Sequence, residues 1–423
     1  MQVRFLPRAQ LTMASTKNIY LDYAATTPVA PEVRRAMEPY FSVKFGNAGS
    51  LHAFGQEAIA ALDASRETVA CALGAEFREI IFTASATEAN NLAIRGVVNG
   101  ADRRAPMNGK RPRRIILSAF EHESVRETVY GLAGENTEIV IIPLSKSGTV
   151  DVEAFKSALT RETILVSVMY ANNETGNIQP IREIADAIAV LKRMRRRPDD
   201  FPGPLFHTDA TQAFQFLNCD VGMLGVDLLT ISSHKIYGPK GAGALYIKKE
   251  IQNQLTPIIS GGGHEFGFRS GTENIPAIVG FAAADRAVSF RSSATRKISA
   301  LRNELWKGIR NAVPRAEING VSARRGPAAL PGTILPNFLN VFFPGQGAQE
   351  LLTRLDRIGI AASSGSACRA REHQPSYAIM ALGHSSVRAK ESIRFSLGWY
   401  TTHRDIRATI EALKHITAER SQA

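Results

Sequence analysis

Seven short apolar, β-branched segments recur between Glu79 and Ile247, and helical patterns separate most of them. The segments are Glu79–Thr83, Arg114–Ser118, Glu138–Pro143, Ile164–Tyr170, Leu205–Asp209, Leu228–Ser232 and Ala242–Ile247. Between them, Glu88–Val98, Ser124–Ala133, Val152–Leu159 and Pro180 to about Arg195 read as helices. Parallel strands need crossover connections, and strands covered on both faces are apolar throughout. The order therefore predicts an α/β fold, a mostly parallel seven-stranded sheet with flanking helices. In such sheets a ligand binds beyond the carboxyl ends of the strands. Five of those ends carry polar residues: Thr87 and Glu88; His122; Asn172, Asn173 and Glu174; Asp209 and Gln212; and Lys235.

The last of these ends is the most informative. The apolar run Asp227-Leu-Leu-Thr-Ile231 stops abruptly at Ser232-Ser-His-Lys235, and Gly238-Pro239 then mark a turn. A lysine directly behind a buried strand is poorly explained as a solvated charge. Lysine amines form imines with carbonyl compounds, and the hydroxyls and imidazole beside Lys235 suit a phosphate. Together they suggest pyridoxal 5′-phosphate with Lys235 as its Schiff-base lysine; an ordinary lysine in a Ser/Gly-rich loop is the bland alternative. The pyridine nitrogen of that cofactor must stay protonated, which calls for a buried carboxylate. Asp209 in His207-Thr-Asp-Ala-Thr-Gln212 fits, although a helix N-cap aspartate is common at such a place. Gln212 can donate to the ring hydroxyl. Backbone N–H groups at Ala86-Thr87, opening a helix, can hold the phosphate, with Ser232, His234 and Thr272 as further donors. His122 is placed to stack on the ring or move protons.

Of three cysteines, Cys71, Cys219 and Cys368, no two form a C-x-x-C pair, which excludes a disulfide framework and points to a reducing cytoplasm. Cys71 falls on a helix from about Gln56 to Leu73 and reads as a core thiol. Cys368 differs: it ends Ser363-Ser-Gly-Ser-Ala-Cys368 and is flanked by Arg369 and Arg371, cations that raise the thiolate fraction. It reads as a reactive thiol on a small-residue loop. The formal net charge of +12 sits largely in runs such as Lys110-Arg111 and Arg195-Arg-Arg197. No aromatic residues interleave there to stack bases, so direct nucleic-acid binding is not expected; an acidic protein partner is the second reading. No apolar run approaches the roughly 18–20 residues that span a bilayer.

Eight segments together resemble one family. They are Tyr20-Leu-Asp-Tyr-Ala-Ala-Thr-Thr-Pro28, Ala86-Thr-Glu-Ala-Asn-Asn-Leu92, Asn172-Asn-Glu-Thr-Gly176, His207–Gln212, Ser232–Gly241, Arg269-Ser-Gly-Thr272, Ser363–Cys368 and Ser392-Ile-Arg-Phe-Ser-Leu-Gly398. In order and content these resemble the cysteine desulfurases of the NifS/IscS type, which are fold-type-I pyridoxal-phosphate enzymes, from about Asn18 to Thr402. The resemblance implies a homodimer that takes sulfur from L-cysteine, releases L-alanine and leaves a persulfide on Cys368. A sulfur-acceptor protein follows, an iron–sulfur scaffold or a tRNA-thiolation relay. It implies no resident metal, though Cys368 would contact an iron–sulfur cluster in transfer. Lys235 would carry the cofactor, Asp209 its pyridinium, Gln212 the ring oxygen and His122 the ring face. Thr87, Ser232 and His234 would hold the phosphate, with Thr272 supplied by the other subunit. Asn173, Asn340 and Arg394 would bind the substrate carboxylate.

The expected organisation is a flexible leader over 1–18, a large cofactor-binding domain over 31–290, and a smaller α+β domain from 19–30 with 291–423. Departures from the family pattern are Ser85 in place of a glycine, the charged Arg369–His373, and extra length at Ala101–Arg113 and Arg195–Pro204. Two competing readings are a similar aminotransferase or lyase that uses no cysteine nucleophile, and a catalytically silent scaffold.

Overall fold

Alternation along the strands divides the apolar side chains between two cores. Ile80 and Phe82 enter one cluster and Ile81 the other; Ile116 separates in the same way from Ile115 and Leu117, and Leu229 and Ile231 from Leu228. The computed structural model describes residues 18–104, 112–134, 136–194, 203–289, 292–320, 333–365 and 374–419. In chain order its strands are β1 (Ile19–Tyr20), β2 (Ile80–Thr83), β3 (Arg113–Ser118), β4 (Thr137–Ile142), β5 (Thr163–Ser167), β6 (Leu205–Asp209), β7 (Leu228–Ser232), β8 (Gly243–Ile247), β9 (Glu317–Ile318), β10 (Phe338–Phe342), β11 (Ile360–Ala361) and β12 (Ser392–Ser396).

Seven of these form the expected central sheet, in the order β2-β8-β7-β6-β5-β3-β4. Every pairing from β7 to β4 is parallel, while β8 runs antiparallel to both β2 and β7. β5 ends at Ser167, short of the expected Tyr170. The helix over Ala53–Leu73 starts at His52, whose side chain accepts from Gly55 N, and ends at Gly74 in the left-handed region (φ 61°). Its buried face is Gly55, Ala58, Leu62, Ser65, Arg66, Val69, Ala70 and Leu73. Cys71 lies off that face and is exposed, which corrects the expected core thiol: at 100° per residue it points away from Val69 and Leu73.

After the central sheet come the helical stretches Ile275–Ser289 and Ser292–Ala312. Beyond them β12, β10 and β9 pair antiparallel, and β1 pairs in parallel with β11. Asp22 bridges to Ser396 at the end of β12. The chain then crosses to the turn after β7, where Thr27 N donates to His234 O at 3.0 Å and Ala30 N to Tyr237 O at 2.9 Å. Residues 22–30 thus form a strap between the small sheets and the carboxyl end of the large one.

Candidate active site

Beneath that strap lies a cleft of about 220 Å³, and its walls include Thr87, His122, Asn173, Asp209, Lys235 and Arg394. Lys235 closes the 3₁₀ turn Ser233–Lys235 that follows β7 directly. Its Nζ donates to the carbonyls of Ala24 (2.6 Å) and Ala25 (2.8 Å) on the strap. Gln212 Nε2 shares the Ala24 oxygen at 2.9 Å. The turn is tight enough that a Cβ on Gly238 would stand 2.0 Å from Ser233 Oγ, so only glycine fits.

Asp209 ends β6 and is buried. Its Oδ1 accepts from Thr211 N at 2.9 Å and its Oδ2 from Asn90 Nδ2 at 2.8 Å. His122 caps the helix Glu123–Tyr130, its Nδ1 accepting from Ser124 N at 3.1 Å. Burial holds its imidazole below the usual histidine range; the Asp209 charge opposes this and Lys235 adds to it.

At the other end of the cleft the helix Ala86–Arg104 presents its first turn. Ser85, the departure from glycine, caps it: Ser85 Oγ accepts from Glu88 N at 3.2 Å. β8 approaches this turn so closely that a Cβ on Gly243 would lie 2.7 Å from Ser85 C, so the close approach is made by glycine on β8 instead. Arg269 Nε holds Glu88 Oε1 at 2.8 Å, which keeps that acid occupied away from an anion. His234 Nδ1 meets Thr26 Oγ1 at 3.1 Å, and burial, then Lys235 and Lys240, push its imidazole down to about 3.

Whether these residues suit pyridoxal phosphate can be tested on orphaned polar atoms. Ser232 Oγ, Asn173 Oδ1 and Thr211 Oγ1 are buried without a hydrogen-bond partner among the described residues. Buried polar groups in folded proteins are paired, so the atoms on Asn173 and Thr211, which line the cleft, await a polar ligand, whereas Ser232, expected to hold the phosphate, does not line it. Free helix N–H groups, hydroxyl donors and a neutral His234 at one end suit a phosphate, and buried Asp209 suits a pyridinium. The residues fit the cofactor.

Arg394, on β12, is buried and donates from Nη1 to Asn173 O (2.7 Å) and from Nη2 to Asp22 Oδ1 (2.6 Å), while its Nε has no partner among the described residues. Asn340 lies directly opposite it on β10, yet does not line the cleft. Its amide is committed, Nδ2 to Glu174 O (3.1 Å) and Oδ1 to Asn319 Nδ2 (2.8 Å). Thr272 is exposed and outside the cleft lining. Cys368 lies outside the described residues, but both flanks of its loop reach the site. Arg394 N donates to Ser363 O at 2.6 Å, and Ser376 Oγ donates to Glu174 Oε2 at 2.5 Å. Asp22, Asn90 and Ser124 were given no role by sequence reasoning, although Asp22 and Asn90 stand inside two of the eight segments.

The aminotransferase class-V family matches residues 19–409. A cysteine desulfurase IscS of Dictyoglomus turgidum is 38% identical over 401 residues, which cover 95% of this chain and 94% of that protein. Among solved structures, a NifS-like protein superposes with a TM-score of 0.83 at 32% identity, covering 95% of this chain and all of the other. SspA in complex with cysteine superposes with a TM-score of 0.73 at 31% identity, covering 91% of this chain and all of that one. The chain belongs to the aminotransferase class-V family.

Proposed function

We propose that the chain is a pyridoxal-phosphate-dependent cysteine desulfurase. The observation that carries this reading is one cleft joining Lys235, Asp209, His122 and Arg394, with both flanks of the Cys368 loop bonded to residues at its edge, Arg394 and Glu174. The relatives named cysteine desulfurase and the structure solved with cysteine support the same substrate.

Bound through Lys235, the cofactor supplies an electron sink for the substrate carbon. Arg394 and Asn173 hold the substrate carboxylate, the guanidinium through its Nε edge while Asp22 and the Asn173 carbonyl orient the fork. Asn340 acts behind them, fixing the Asn173–Glu174 backbone. Lys235 Nζ would take the Cα proton, and His122 Nε2 would serve as a second proton-transfer group in the same cleft. The Cys368 thiolate attacks the substrate sulfur: an S–S bond forms as the Cβ–S bond breaks, L-alanine leaves, and the sulfur stays as a persulfide. An acceptor protein then takes it, with iron–sulfur assembly as the use that the relatives' names favour.

Association into a homodimer is supported by exposed Phe41, Val43, Phe45, Leu51 and Phe54, more apolar surface than one segment of a monomer usually shows. Exposed Thr272 is then available to the partner's phosphate. The two-unit organisation is supported by β1 pairing with β11 rather than with the central sheet. A reducing, cytoplasmic setting suits a persulfide; among the described residues no helix is long and apolar enough to cross a membrane.

The test is incubation of cofactor-loaded protein with L-cysteine. Alanine should appear, and mass spectrometry should find added sulfur on Cys368. Cys368→Ala should abolish sulfur transfer and leave the cofactor absorbance unchanged. If that variant still released sulfur at the wild-type rate, the aminotransferase or lyase reading would replace this one.

A further inference from the structure

Asn90 lies on the helix that opens at Ala86 and is wholly buried. Its Nδ2 donates both to Asp209 Oδ2 (2.8 Å) and to Ser124 Oγ (2.8 Å). A carboxylate only accepts, so the side of the amide that faces Asp209 must be nitrogen. A serine hydroxyl has one proton to give. Ser124 Oγ accepts from Asn90 and keeps that proton to give, and its other neighbour is His122 Nδ1, at 2.9 Å. The backbone N–H of Ser124 donates to the same ring nitrogen at 3.1 Å. Nδ1 therefore receives two donors and cannot carry a proton of its own, and the proton of the neutral ring sits on Nε2.

We infer that Asn90 and Ser124 are positioning residues that lock His122 in the neutral, Nε2-protonated tautomer, with the Asp209 carboxylate orienting the relay. Asn90 Oδ1 is buried without a partner among the described residues, so the amide is not placed there to satisfy itself. Its two donors are what the position uses. The inference rests on the reading of His122 as the proton-transferring group, since a ring that works at one nitrogen needs its tautomer fixed. It ties the group suited to the cofactor's pyridinium to His122 by three hydrogen bonds.

Long-range proton–nitrogen correlation spectra of cofactor-loaded, ¹⁵N-histidine-labelled protein read the tautomer directly, with His122 assigned by its loss in His122→Gln. The wild type should show a bare Nδ1 and a protonated Nε2. The backbone N–H of Ser124 remains in both alanine variants, so Ser124→Ala and Asn90→Ala should move both nitrogen shifts only part of the way toward a tautomer mixture, and Ser124→Thr, which keeps the hydroxyl, should restore them. The turnover rate of the two alanine variants should fall at least about tenfold with KM little changed. A protonated Nδ1 in the wild type, or unmoved shifts in Ser124→Ala, overturns the relay. If the shifts move while turnover does not, the relay stands and the catalytic role of His122 falls.

Discussion

Arg394 carries a full charge at a site closed to water, and its surroundings decide how it can bind a substrate. Asp22 takes one Nη and the Asn173 carbonyl the other, so the fork is held in one orientation, with Nε left to donate. Two carboxylates on one guanidinium share its charge, and Asp22 therefore limits how tightly a substrate carboxylate is held. Lysine offers a point charge without the fork. Arg394→Lys should raise KM for L-cysteine by about ten- to a hundredfold, each tenfold being about 1.4 kcal/mol, with kcat changed far less. Steady-state kinetics decide it, and an unchanged KM would remove Arg394 from carboxylate binding. At this scale the sequence was legible in which strand-end residues come together, Ser232 at the end of β7 excepted, since it does not line the cleft. Lys235, Asp209, Gln212, His122 and Asn173 all line the cleft. It was silent on direction: Asn340 shares a register position with Arg394, but only its hydrogen bonds to Asn319 and Glu174 reveal that its amide faces elsewhere.

β2 is an edge strand, and its outward backbone groups need partners that are not another chain. Arg66 Nη1 donates to Ile80 O at 2.5 Å, and Glu265 Oε2 accepts from Phe82 N at 2.8 Å. The two side chains meet as a bidentate pair at 2.7 Å, 3% and 2% exposed. The guanidinium is sandwiched by aromatic rings, at 4.9 Å from the Phe82 centroid and 4.8 Å from that of Phe266. Removing one partner leaves the other charge buried and uncompensated. Glu265→Ala should therefore cost about 3–5 kcal/mol in denaturant unfolding, where an ordinary surface change costs within about 0.5 kcal/mol. A loss of the smaller size would mean that water reaches Arg66. This pair was invisible in the sequence because 199 positions separate its members. The strands themselves were visible because their apolar alternation is local, and β6 and β7 match their expected bounds. β1, β9 and β11, at two residues each, carry too short a pattern to read, and pairing with distant strands is what defines them.

For the molecule as a whole, buried titratable groups near the sheet's carboxyl end pull stability in opposite directions with pH. Burial drops His207 to about 4 and His234 to about 3 from an ordinary value of 6.5. Their folded values lie below the unfolded one, so the stability they contribute is full above about 6.5 and is lost as pH falls toward 4 and 3. Glu121 behaves in the reverse sense. Burial, with a smaller push from Asp209, raises its carboxyl from 4.5 to about 8 against the bonds from Ser118 and Met169. Its Oε1 accepts from Ser118 Oγ and Met169 N. The folded state keeps this proton between 4.5 and 8, so the stability it contributes is full below 4.5 and is lost as pH rises through 8. Glutamine has the shape of the protonated acid and cannot ionise. Glu121→Gln should therefore remove the Glu121 contribution alone, so that the unfolding free energy gains more with rising pH, or falls less, between pH 5 and pH 8 than in the parent, the two curves diverging by an amount on the order of a few kcal/mol. The histidine-driven loss below pH 6 should survive the substitution. Thermal or denaturant unfolding across that range in both proteins decides the matter. If the slopes between pH 5 and pH 8 coincide, Glu121 is ionised in the folded protein.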